Sequence, residues 1–61
     1  MKIHFIGGIV REVEVFKETK KYLEVRVLGG FSTRYRVNKE NGEVQDWTYH
    51  NVIKGLYVTN D

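Results

Sequence analysis

Sixty-one residues with no cysteine and no proline leave room for one small domain, spanning residues 1–61. The larger catalytic architectures do not fit, and neither does a disulfide framework or a thiolate metal site. Hydrophobic residues are 41% and charged residues 30% of the chain, which is too apolar for a disordered tail, and no apolar run is long enough to span a membrane.

Ten Lys and Arg face eight Asp and Glu, for a net charge of +2. The balance is five cations to three anions in residues 1–21, three to one in 22–37 and two to four in 38–61. Positive charge is therefore thin except at Arg26, Arg34 and Arg36. Met1 to His4 carry neither the charged start nor the apolar stretch of a secretion signal, so the expected location is cytoplasmic.

Period-two alternation runs through the chain with β-branched and aromatic residues at the apolar positions, which predicts an all-β fold of five or six antiparallel strands. The first strand is expected over 2–6, where Ile3 and Phe5 alternate with Lys2 and His4, and Gly7-Gly8 supplies the turn. The second, 9–16, alternates Val13 and Val15 with Glu12 and Glu14, and the polar tip Lys17 to Lys20 follows. The third, 22–28, carries Leu23, Val25 and Val27 against Glu24 and Arg26, and leads into Gly29-Gly30. Strands over 31–38 and 43–48 are separated by Asn41-Gly42, a strong hairpin signal. Tyr49 to Ile53 reads as a loop or one helical turn, Lys54-Gly55 as a break, and 56–59 as the last strand.

Residues 2–15 overlay residues 24–37 at an offset of 22, with the glycine pairs, Ile6/Leu28, Ile9/Phe31, Val13/Tyr35 and Val15/Val37 in correspondence. A duplicated two-strand unit and two unrelated Gly-Gly hairpins both account for this match.

Register follows from keeping the apolar residues on one face. For the second Gly-Gly hairpin a three-residue loop, Leu28 to Gly30, sets Val27 opposite Phe31 and Leu23 opposite Tyr35 inside. Outside, Glu24 then faces Arg34 and Tyr22 faces Arg36, with Gly30 in the left-handed region. In the next hairpin a four-residue loop, Lys39 to Gly42, sets Val37 opposite Val44 and Arg36 near Gln45. Arg34 then comes close to the Trp47 indole.

No catalytic grouping is expected. Ser32 is the single serine, and the carboxylate pairs Glu12/Glu14 and Glu40/Glu43 fall on a wet strand face and at a hairpin tip. His4 and His50 lack a third ligand, so no metal and no cofactor are expected. Gly7-Gly8 precedes no helix and is no phosphate loop. The sharpest feature is the outer face of the third to fifth strands. Tyr22, Arg26, Arg34, Arg36 and Trp47 share it, and these residue types suit either a protein contact or a nucleic acid. Tyr57, outward on a short edge strand, is a second candidate, suited to strand addition or to a symmetric dimer.

In length, in its series of short strands, and in a hairpin followed by Tyr49 to Ile53 and a last strand from Leu56 to Thr59, the chain resembles an SH3-like small barrel. The acidic loop and paired aromatic motif of the proline-peptide-binding SH3 domains are not present, so the resemblance implies an architecture and no ligand. The alternative architecture is an open antiparallel meander curled over one apolar face. The expected function is that of a non-enzymatic interaction module binding another protein, as adaptor, inhibitor or assembly subunit. Nucleic-acid binding through the basic, aromatic face is the competing reading. No membrane partner is expected, and a homodimer is compatible with the short edge.

Overall fold

The computed structural model describes residues 1–61 and contains strands, turns and loops but no helix. The strands are β1 (Lys2–His4), β2 (Val10–Glu18), β3 (Tyr22–Val27), β4 (Arg34–Asn38), β5 (Val44–Asp46) and β6 (Tyr57–Thr59). They form one antiparallel sheet in the order β5-β4-β3-β2-β1-β6, curled into a half-barrel. The first five strands follow one another as a meander, and β6 returns to the far side of β1.

The long β2 is what lets the sheet curl. Val10 to Glu12 pair with β1, whereas Val13 to Glu18 pair with β3, so one strand serves both ends of the sheet. The ladder to β3 slips between Val15 and Lys17. Strict alternation would turn Lys17 inward. The extra residue at Phe16 instead sets Lys17 opposite Glu24, and a bulge of this kind also sharpens the local twist.

Alternation explains the core. Ile3, Val13, Val25, Val37 and Val44 are buried, one from each of β1 to β5, with Ile3 and Val25 wholly inaccessible. Phe5, Leu23, Val27, Tyr35, Leu56 and Val58 pack against them. Val15 shares this face opposite Val25 but stays exposed, since a half-barrel does not cover all of its concave side.

The β4–β5 hairpin takes the expected register, with Val37 opposite Val44 and Arg36 opposite Gln45. Asn38 organises its loop: its side-chain oxygen accepts the Glu40 amide at 2.8 Å and its carbonyl accepts the Gly42 amide at 2.8 Å. The β3–β4 hairpin departs from expectation by two residues. Leu23 faces Val37, Val25 faces Tyr35, Glu24 faces Arg36 and Arg26 faces Arg34. The Val27 amide donates to Thr33 at 2.8 Å, which lengthens the loop and expels Phe31 from the inner face into solvent. Gly30 is left-handed as expected, and Ser32 joins it with φ 54°. The first glycine turn is tighter, closing with the Phe5 amide on the Ile9 carbonyl at 2.8 Å. The two halves of the internal overlay therefore differ in loop length.

The segment read as a loop or helical turn makes no helix. Asp46 gathers it, its carboxylate accepting the Tyr49 amide and its carbonyl the His50 amide, both at 2.8 Å. His50, with φ 63°, then turns the chain into an extended stretch. There Val52 bridges to Gln45, and the Ile53 amide donates to Val44. Residues 51–53 thus line the β5 edge before the chain crosses to β6.

Candidate functional site

Direct opposition across the ladders fixes which side chains share the outer face. Glu14 faces Arg26, Lys17 faces Glu24, Glu24 faces Arg36 and Arg26 faces Arg34, all on the side away from the valine core. Tyr22, Arg26, Arg34, Arg36 and Trp47 are gathered there. Tyr57 is not: it lies on β6, at the opposite end of the strand order from β5.

Three small assemblies cover the face. Arg26 forms an ion pair with Glu14, directly across the β2–β3 ladder. Arg36 donates from Nε and from a terminal nitrogen to Gln45 Oε1, at 3.0 and 2.8 Å, and its guanidinium lies 3.8 Å from the Tyr22 ring centre. Gln45 is the one buried polar residue, and this fork satisfies its side-chain oxygen. Trp47 donates its indole N–H to Glu24 at 2.8 Å, which fixes the ring, and Phe16 meets that ring edge-on at 6.4 Å between centres.

Arg34 completes the third assembly. Its guanidinium sits 4.9 Å from the Trp47 ring centre and 5.7 Å from that of Phe16. The proximity to Trp47 was expected from the sequence; the contribution of Phe16 was not. Alternation already puts Phe16 on this face, two residues beyond Glu14, so the signal for its side was in the sequence; its reach to Trp47 across β3 and β4 was not. Arg34 also faces Arg26 rather than Glu24, because of the two-residue register change. It has no carboxylate partner and no hydrogen bond to any side chain, and it is exposed. The aromatic rings hold this cation while leaving its N–H donors free.

An open concavity of about 400 Å³ lies beside Arg34 and Trp47, with Phe31 and Asp46 on its other sides. Glu14 and Glu24 are engaged, and no three His, Cys, Asp or Glu side chains gather anywhere in the chain. His4 stacks on Tyr57 with ring centres 4.4 Å apart and planes 3° from parallel, and its Nε2 meets the Thr59 hydroxyl at 2.9 Å. Tyr57 remains half exposed beside the free edge of β6. Inside the barrel, burial and then the Asp46 carboxylate push the Tyr35 phenol above its usual pKa of 10.0.

A second surface lies at the end of the half-barrel where the turn over residues 5–9 meets the loop over residues 28–33. A groove of about 390 Å³ runs between them, lined by Phe5, Ile9, Val27, Leu28, Phe31 and Tyr35. Phe31 is fully exposed, and Ile9 and Leu28 are about half exposed. Pairing Phe31 with Val27 concealed this groove from the sequence. The glycine pairs were visible, but their loops had to be given the correct lengths before the apolar residues beside them could be placed. No helix is long and apolar enough to cross a membrane. No protein-family model, curated protein or solved structure matches the chain.

Proposed function

We propose that the protein is a non-enzymatic interaction module that binds a protein partner through the outer face of β2 to β5. The observation that carries this reading is Arg34, an unpaired cation held between Trp47 and Phe16 with its donors free. Arg and Trp are the residue types that dominate protein contacts, and ring stacking limits the side-chain entropy lost when a carboxylate is gripped. A nucleic-acid backbone calls for several free cations in a row, whereas Arg26 is neutralised by Glu14 and Arg36, still charged, gives two of its donors to Gln45. The partner that suits the site is a carboxylate set in apolar surroundings on another protein. The curled sheet, with β6 returned to β1, serves as an SH3-like scaffold for this face, and the absence of cysteine agrees with a cytoplasmic setting.

Trp47 is the single tryptophan, so its fluorescence reports on the site directly. The test is affinity capture from the native lysate with the intact chain and with Arg34→Glu, identifying retained proteins by mass. A partner held by the intact chain and lost with Arg34→Glu, together with a change in Trp47 emission on binding, supports the proposal. Retention that ignores the substitution overturns it. So does tight binding of DNA or RNA oligonucleotides that weakens steeply between low and moderate salt, the mark of phosphate neutralisation.

A further inference from the structure

The groove between the two glycine turns adjoins the Arg34 site across the loop of residues 31–33 but opens on its other side, and we infer that it is the interface of a reversible symmetric homodimer in which each copy's Phe31 fills the other's groove. The first observation is self-complementarity. A projecting aromatic side chain, wholly in solvent, stands on the wall of an apolar groove whose other sides are Phe5, Ile9, Val27, Leu28 and Tyr35. A knob beside a hole on one surface is satisfied by a two-fold axis, since the same operation that inserts one knob inserts the other. The groove, at about 390 Å³, falls in the range of roughly 300–1,000 Å³ typical of clefts that hold ligand-sized groups.

Electrostatics permit the approach. Among the side chains lining the groove Arg11 is the single charge, and it turns back to donate to the Val10 carbonyl at 3.0 Å. No carboxylate lines the groove, so a basic ligand finds no partner there, whereas the mainly apolar lining is matched by a second apolar surface. The loop is shaped to present Phe31. Gly29, Gly30 and Ser32 all have positive φ, at 81°, 60° and 54°, and these three residues flank the projecting ring.

The area sets the strength. Covering Phe31 with the exposed halves of Ile9 and Leu28 removes on the order of 300–400 Å² of surface per copy, and the rim adds to it. The pair stays near or below the ~1,200 Å² at which stable complexes begin, so the dimer dissociates on dilution. Only 6 of 61 residues are buried in the single chain, and association through this end is the stabilising device open to a small domain without disulfides or metal.

The test is sedimentation equilibrium of the intact chain over a concentration series from micromolar to millimolar. The expected mass rises from 7.2 kDa toward twice that value. Phe31→Asp, at a wholly exposed position, keeps the fold by circular dichroism and weakens association by roughly tenfold or more. Arg34→Glu leaves the dimer intact, which separates this inference from the proposed partner site. In a mixture of labelled and unlabelled chains, intermolecular nuclear Overhauser contacts join the Phe31 ring to Phe5, Ile9 or Leu28. A 7.2 kDa mass at every concentration overturns the inference. A dimer insensitive to Phe31→Asp, or one whose intermolecular contacts fall at Tyr57 and β6, also overturns it.

Discussion

The outer face of β2 to β5 and the glycine-turn end of the half-barrel hold side chains of opposite character, and they handle water in opposite ways. On the face, polar groups have found each other: Arg26 with Glu14, Arg36 with Gln45, Trp47 with Glu24. Its large apolar ring, Phe16, is folded into an aromatic pair. At the turns, Phe31, Leu28 and Ile9 have found nothing and stand in solvent. The strand ladder explains the difference. On the face, residues two apart and directly opposite are held within contact distance by backbone hydrogen bonds, so partners are imposed. At the turns no ladder fixes neighbours, and an apolar residue expelled from the sheet waits for a surface supplied from outside.

The largest expected effect comes from the core beneath both regions. Ile3→Ala removes a wholly buried side chain and costs about 3 kcal/mol. A chain of this length has a total stability of about 3–9 kcal/mol, so urea denaturation should find a third or more of it gone and the midpoint lowered in proportion. Because β1 and β2 join the two regions, both should lose their signals in one transition; separate transitions would break the idea that they share a core.

The sharpest comparison sets one phenylalanine against another. Phe16→Ala loses the edge contact with Trp47 and one of the rings beside Arg34, for about 1–2 kcal/mol. Trp47→Phe keeps a ring near Arg34 but removes the donor to Glu24, costing about 1 kcal/mol. Phe31→Ala, measured by urea in dilute solution, should lie within about 0.5 kcal/mol of the unaltered chain. Equal costs for Phe16 and Phe31 would erase the distinction between a packed face and an uncovered end.

The smallest effect is confined to alkaline pH. Burial raises the Tyr35 pKa above its unfolded value near 10.0, so the folded state holds that proton more tightly. The contribution is fully present below pH 10.0 and is lost as pH rises through the folded pKa. Thermal unfolding of Tyr35→Phe, compared with the unaltered chain across that window, should show a shallower alkaline decline and little change at neutral pH. An unchanged alkaline limb would place the phenol in a more solvated position at the open end.

These contrasts also mark what could be read from the residues. The all-β class and the division into faces were legible, because valine and charge alternate through β2, β3 and β4. The β4–β5 register was legible too, since Asn41-Gly42 marks the four-residue loop Lys39 to Gly42 that sets Val37 opposite Val44. The β3–β4 pairing was not. Its parity was right, so Glu24, Arg26, Arg34 and Arg36 fell on the correct face, but shifting by two residues keeps parity while changing every partner. The left-handed Ser32 that lengthens the loop has no signature in its side chain. The bulge at Phe16 is equally silent. The five residues expected on the outer face come together there, and Tyr57, expected by itself on a short edge strand, lies on β6.

The crossing from β5 to β6 bears on aggregation. Exposed strand edges are templates on which other chains can add, and small all-β proteins are prone to that route into fibrils. Residues 51–53 hydrogen-bond along β5, so that edge offers no long row of unpaired amides. The remaining edge, β6, is three residues long. Growth of an extended cross-β stack from the native fold therefore has little to start from, and the chain can display its apolar loop residues in solution with less risk of forming fibres.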